Sequence, residues 1–326
     1  GPVDAGPTVL TLPSVISAFF AAMGARLDDH IHLHRQARLA RHFWPDGSQL
    51  DLWEDMEANL EAIRTFSGNR SAQQFQAFSS RAKELFFAFD APMMQASRPT
   101  PTSLAIHCLR NPEILRQMAP FSTFDSLLND SFADARLRQL FGRYATYVGG
   151  SPYKVPALLA LIWQAERSGV WTVEGGMHQR AIALAKLAET RGVQFAVDTH
   201  VSEICTAAGA VTCVQTHDGT MLPADCVFFN GDPRALATGA LGEDVRKVAA
   251  KTRTTARSLS AEVWAFAARK TGPDLALHNV FFRADPKPEF DALEHGGYVD
   301  NPTLYICAMD RGGPAPPPDV ERFEII

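Results

Sequence analysis

The chain has 326 residues, is 46% hydrophobic and carries a formal net charge of −5. It can bury a large core and suits two globular domains, while mild acidity without a long Lys/Arg run argues against a nucleic-acid partner. Its five cysteines (Cys108, Cys205, Cys213, Cys226 and Cys307) show no C-x-x-C spacing, which argues against a zinc site and a disulfide framework and fits a reducing cytoplasm.

The first residues, VDAGPTVLTLP, combine a Gly-Pro turn with a β-prone run at 8–12. Ser14 can cap a helix running from Val15 to about Gly24, with Phe19 and Phe20 facing a core. His30, His32 and His34 alternate, so on a strand they share one face with metal-ligand potential. No carboxylate or cysteine shares that spacing and a solvated strand face accounts for it, so no metal is expected. Asp46-Gly47 makes a hairpin turn into 49–53.

From 55 to 90 the pattern is helical, with Phe75, Phe78, Leu85 and Phe89 on a 3.6-residue period. The continuation Phe86, Phe87, Phe89, Met93, Met94 suits either a core or a membrane-touching mouth for a greasy ligand. After Pro99 and Pro101, helices are expected at 103–109, 112–118 and 123–147.

The stretch 148–177 carries two Gly-Gly pairs around an apolar helix opened by Pro156 and a β-like run at 170–173. The apolar run 155–163 is far shorter than the ~20 residues of a membrane span. A strand, Gly175-Gly176 and a helix start at Met177 could form a cofactor or substrate wall, and an ordinary tight turn accounts for the same residues. A helix at 177–190 is followed by expected strands at 193–197, 201–206 and 211–217, and by a buried strand at 226–230 ending at Asn230, Gly231, Asp232 and Pro233. Such a strand end is where α/β sheets bind cofactors. Further strands are expected at 258–269, 280–282 and 303–308. The closing RFEII alternates like a strand, and both ends read as cut, so the chain is taken as an internal fragment.

DAGPTVLTLP (4–13), LFGRYATYVGGSP (140–152), GVWTVEGGMHQ (169–179), THVSEI (199–204) and FFNGDP (228–233) together resemble the phytoene-desaturase-like carotenoid desaturases, in that family's order and over nearly the whole chain. The wording of 144–166 is similar to the 1-hydroxycarotenoid 3,4-desaturases, also called methoxyneurosporene or hydroxyneurosporene dehydrogenases, of purple photosynthetic bacteria. The resemblance implies a mixed α/β fold in which a glutathione-reductase-like FAD domain (1–15 and 170–255) interleaves with a sheet-plus-helices substrate domain (16–169 and 256–326). The family's G-x-G-x-x-G unit and its C-terminal glycine-rich flavin segment do not occur in these residues, so the fragment alone is expected to bind FAD weakly and to be inactive.

Carried over residue by residue, the resemblance places Asp4, Gly6, Pro7 and Thr8 beside the flavin. It puts Val201 near the adenine and Asn230, Asp232 and Pro233 at the cofactor end of a sheet. Trp171, Gly175, Gly176 and Met177 would line the wall between flavin and polyene. The implied reaction sends a hydride to FAD and a proton to a protein group. His107 and Arg110, three apart on a helix, are candidates for the proton, and a solvated pair is the plainer account. The implied partners are a carotenoid and a membrane surface, with the protein peripheral on the cytoplasmic face of the inner membrane. A protoporphyrinogen-oxidase-like or retinol-saturase-like flavoenzyme, or a carotenoid or lipid carrier without activity, would share several of these features.

Overall fold

The computed structural model describes residues 2–313 and 315–326. By compactness the chain forms two units, Gly1–Ala185 with Ser258–Ile326, and Lys186–Arg257.

In chain order the larger unit begins with helix α1 (Pro13–Ala22), strands β1 (Leu33–Gln36), β2 (Arg38–Phe43) and β3 (Gln49–Trp53), and helices α2 (Met56–Ser67) and α3 (Asn69–Phe89). Helices α4 (Pro101–Arg110), α5 (Pro112–Met118), α6 (Phe124–Ser131), α7 (Ala135–Gly142) and α8 (Leu161–Arg167) follow, then strand β4 (Val170–Val173) and the start of helix α9 (His178–Glu189). The smaller unit holds β5 (Val201–Ala207), β6 (Ala210–Thr216), β7 (Met221–Pro223) and α10 (Pro233–Thr238). The chain returns to the larger unit with β8 (Trp264–Ala268), β9 (His278–Phe281), α11 (Lys287–Glu294), β10 (Leu304–Ala308) and β11 (Glu321–Ile325).

A six-stranded sheet of order β3-β2-β9-β10-β11-β8 is the frame of the larger unit. Its pairs are antiparallel except β2 with β9, which run parallel with Arg41 opposite Asn279. Asp46-Gly47 closes the β2–β3 hairpin as expected, with the Ser48 amide donating to Asp46 Oδ1 at 2.9 Å. One sheet face contributes Leu50, Leu52 and Val280 to a core that α3, α7 and α8 complete.

The helical period of α3 is visible in its burial: Phe75, Phe78, Leu85 and Phe89 all lie inside. Phe141 sits among these rings, 4.8 Å from Phe78, 5.2 Å from Phe132 and 5.6 Å from Trp163 between centroids. Each such pair adds ~0.5–1.5 kcal/mol beyond its buried area. Trp163 also donates its indole N–H to Ser79 Oγ at 2.9 Å, which satisfies the one polar atom that the cluster buries there.

Several expected elements take another form. The first helix starts two residues early, at Pro13, with Leu12 as its cap in the left-handed region, and Ser14 makes no capping bond. Proline fits the first helical position because its missing N–H would be unpaired there anyway. The run at 8–12 makes a single bridge, Leu10 to Trp171, rather than a strand. The helical stretch after 55 divides at Gly68 into α2 and α3. The expected helix 123–147 breaks because Asp134 accepts from the Arg136 amide and caps a new helix, and residues 143–148 are 3₁₀. Of the alternating histidines only His34 lies on a strand.

In the smaller unit β5, β6 and β7 form an antiparallel meander, and a small core joins Ile204, Leu236 and Val245. Residues 193–197 and 226–230 are not strands. Apolar sequence alone cannot make a strand, because each backbone N–H and C=O needs a neighbour's ladder. Instead of being buried, Phe228 is 94% exposed.

Candidate active site

The extended segment ahead of α1 is fastened to the start of α9. Asp4 Oδ2 accepts from the Met177 amide at 2.8 Å, and Oδ1 from the His178 amide at 3.4 Å. A carboxylate here satisfies unpaired amides and complements the positive end of the helix dipole. Gly176 makes the approach possible: its φ is +97°, and a Cβ there would lie 3.0 Å from Asp4 Oδ2. Gly175 is also at positive φ and exposed. The Trp171 amide donates to the Leu10 carbonyl at 2.9 Å, while its indole lies under the Arg35 guanidinium at 5.3 Å.

From this loop a polar run enters the sheet face. The buried Thr8 hydroxyl is 2.8 Å from the Tyr305 hydroxyl, which is 2.6 Å from His278 Nδ1. On the same face, opposite Cys307 in the ladder, stands Glu324, fully buried and with no hydrogen-bond partner among the described residues. Burial pushes its carboxyl up to about 7, against smaller opposing effects from the Gly6 backbone and the Thr8 side chain. Burial raises the Cys307 thiol to about 12 and the Tyr305 hydroxyl well above its ordinary range, so both stay protonated.

Arg143 and Glu166 form an ion pair at 3.1 Å, with side chains 15% and 5% exposed. The guanidinium also lies over the Tyr144 ring, 4.6 Å from its centroid. Burial opposes the charge on Arg143, but Glu166, Tyr144 and Tyr147 together outweigh it and keep the guanidinium charged. Burial, reinforced by Arg143, lowers the histidines His42 and His278, the first well below its usual range and the second to about 3. Apart from Glu324, which ionises near neutrality, the face is therefore a set of neutral hydrogen-bonding groups beside one compensated cation.

The expected site residues divide among several places. Asp4, Gly6, Thr8, Trp171, Gly176 and Met177 gather in the larger unit, and Pro7 projects outward. In the smaller unit Val201 opens β5, paired with Thr216, and Asn230 is exposed. Asp232 accepts from the Arg234 amide at 2.9 Å and pairs with Arg257 at 2.6 Å, with Pro233 opening α10. His107 lies edge-on to Phe89 at 5.8 Å, and Arg110 is exposed. No three His, Cys, Asp or Glu side chains converge as a metal site among the described residues.

His278, Tyr305, Arg143, Glu166 and Glu324 are the polar residues that sequence reasoning missed. A signal was present: His278 interrupts the apolar run LALHNVFF, Glu324 interrupts RFEII, and Arg143 lies in one of the quoted motifs.

No family model matches the chain. It is 51% identical, over all 326 residues, to hydroxyneurosporene desaturase of Cereibacter sphaeroides, of which it covers 66%. The chain belongs to the carotenoid desaturase family. To the 1-hydroxycarotenoid 3,4-desaturase of a Flavobacterium species, a more distant family member, it is 29% identical over 97% of its own length and 64% of that protein's. It thus spans slightly less than two thirds of these relatives. Among solved structures it shares the fold of a putrescine oxidase variant at TM-score 0.51 and 12% identity, over 99% of this chain and 66% of that one. The family's mixed α/β architecture is the one observed.

Proposed function

We propose that the protein is an FAD-dependent 3,4-desaturase of an acyclic 1-hydroxy- or 1-methoxy-carotenoid. The observation that carries this reading is the 51% identity, without an unmatched stretch at either end of the chain, to a hydroxyneurosporene desaturase. The residues of the first loop suit a flavin. Gly6 has no atom within 4 Å of where a Cβ would be, and Thr8 beside it is buried, so bare backbone faces an open side where a flat ring can approach. Asp4, Gly6, Pro7 and Thr8 would hold the ring from this chain's larger unit, and Val201, Asn230, Asp232 and Pro233 are assigned to the rest of the cofactor. On this reading 1–15 and 170–255 form the FAD domain, and 16–169 with 256–326 form the substrate domain. When bound, the flavin supplies the two-electron acceptor for a hydride from one of two adjacent carbons.

The remaining chemistry falls to side chains of this chain. Asp4 and Gly176 fix the spacing between the loop and the α9 terminus, a distance on which transfer depends steeply, ~10²-fold for 1 Å. The proton from the second carbon is assigned to a Glu324 carboxylate oxygen rather than to His107 and Arg110. With its pKa near 7, Glu324 exchanges a proton close to neutrality, and it neighbours Gly6 and Thr8. Arg110 faces outward.

The polyene's source is taken to be lipid, with the protein peripheral on the cytoplasmic face of the inner membrane. No helix among the described residues is long and apolar enough to cross a membrane. Phe87, Ile106, Leu109 and Phe121 are exposed on the neighbouring elements α3, α4 and the turn after α5, an apolar surface suited to a bilayer interface.

The test is anaerobic mixing of the full-length holoenzyme with a 1-hydroxy polyene in liposomes. Bleaching of the flavin absorbance together with a longer-wavelength polyene spectrum is expected. An unchanged flavin spectrum in the presence of bound polyene would refute the reading.

A further inference from the structure

His42 on β2 and His278 on β9 lie on one face of the six-stranded sheet. His42 registers with Val280, and side chains two residues apart on a strand share a face. They are 0% and 2% exposed. His42 Nδ1 is 3.1 Å from the Leu50 carbonyl oxygen. A carbonyl can only accept, so Nδ1 carries the proton and Nε2 is left as a lone pair. No described residue donates to that lone pair, and none pairs with His278 Nε2, the Tyr144 hydroxyl or Arg143 Nε. Four unpaired polar atoms are thus buried in the region where the charge of Arg143 acts on both imidazoles. Buried polar atoms are rarely left unpaired, and this group, two atoms on the sheet face and two on residues 143 and 144, calls for a polar guest, a water or a ligand group.

We propose that His42 and His278, with Arg143 beside them, seat the hydroxyl group of the substrate and select a polyene hydroxylated at the end being oxidised over the same polyene without that group. The inference rests on the desaturase reading. In a 1-hydroxy polyene oxidised between C3 and C4, the hydroxyl carbon is two bonds from the nearer reacting carbon. The hydroxyl partner must therefore lie beside the reacting bond. The run from Thr8 through Tyr305 to His278 supplies that adjacency, because Thr8 belongs to the loop assigned to the flavin.

A hydroxyl complements an acceptor and a donor of this group. A substrate hydroxyl has one proton to give and lone pairs to receive, so it donates to His42 Nε2 and accepts from the Tyr144 hydroxyl or Arg143 Nε. Both imidazoles are neutral, hence hydrogen-bonding groups rather than cations that would demand an anion. A polyene without the hydroxyl would bury these atoms unpaired, and sites of this kind reject such analogues strongly.

The experiment uses the full-length holoenzyme and the variants His42→Phe and His278→Phe, assayed on a 1-hydroxy polyene and on its unsubstituted counterpart. Dissociation constants are read in parallel from quenching of tryptophan fluorescence. The preference for the hydroxylated substrate, as a ratio of kcat/KM values, should fall by about 10–100-fold in His42→Phe, with a matching fall in the ratio of dissociation constants. His42→Gln keeps an acceptor and should retain most of the preference, which separates hydrogen bonding from packing. If His42→Phe does not fold, the same ratios in His278→Phe and His42→Gln decide. Equal losses on both substrates would overturn the proposal and leave the imidazoles as holders of internal water. A wild-type enzyme that desaturates only the unsubstituted polyene would overturn it together with the 1-hydroxy substrate assignment while sparing flavin-dependent desaturation, and no turnover of any polyene would overturn all three.

Discussion

Replacing Gly176 by alanine tests the geometry that joins the first loop to α9. Two costs follow from the structure. At φ +97° an L side chain is strained, worth ~1–2 kcal/mol. The new Cβ also comes 3.0 Å from Asp4 Oδ2, the atom that accepts from the Met177 amide at 2.8 Å, so the carboxylate must shift and its cap weakens. Losing such a cap costs ~0.5–2 kcal/mol. Gly176→Ala should therefore destabilise by about 2–3 kcal/mol. In an Asp4→Ala background only the backbone strain remains, and the same substitution should cost about 1–2 kcal/mol. Urea unfolding of the four proteins, followed by tryptophan fluorescence, gives the coupling between the two sites. A coupling of about 1 kcal/mol is expected, well above the ~0.3–0.5 kcal/mol within which independent sites add. Strict additivity would show that Gly176 serves only its own turn and that the close approach to Asp4 is energetically irrelevant.

Glu324 should make stability fall as pH rises. Its folded pKa of about 7 stands above the ordinary 4.5, so between those values the folded state holds a proton that the unfolded state has released. Glu324→Gln should match the parent near pH 4.5 and be the more stable protein at pH 8, as read from urea midpoints; a variant less stable at pH 8 would show that the carboxylate is paired rather than isolated. For the membrane surface, Phe87→Asp with Phe121→Asp should abolish co-sedimentation of the full-length protein with anionic phospholipid vesicles. Phe86 is unsuitable for that test because it is buried in the core, and unchanged sedimentation of the double variant would place the contact elsewhere.

Local signals carried much of the architecture. The period of Phe75, Phe78, Leu85 and Phe89 is a property of one helix and its burial followed from it; Asp46-Gly47 specified its hairpin because the turn needs no distant partner. Legibility fails where a segment's state depends on something far along the chain. Residues 226–230 have the composition of a buried strand, yet no described strand pairs with them. Nothing in the sequence linked His42 with His278, which the parallel pairing of β2 with β9 brings onto the same sheet face. Asp4 gave no sign that it would cap a helix beginning beyond Gly176. The polar face was recoverable only in part: a charged residue inside an apolar strand, as in RFEII, marks something to be explained, but not which groups it will meet.

The pairing of Arg41 with Asn279 also sets a timetable for the growing chain. At ~5–20 residues per second of synthesis, the stretch between them takes about 10–50 s to appear. Through that interval the β2–β3 hairpin exists with the β2 edge that later meets β9 open, carrying unsatisfied N–H and C=O groups beside Leu39. Such an edge recruits whatever strand arrives first. Yield of this protein should therefore respond to translation speed and chain concentration as well as to the stability of the finished fold.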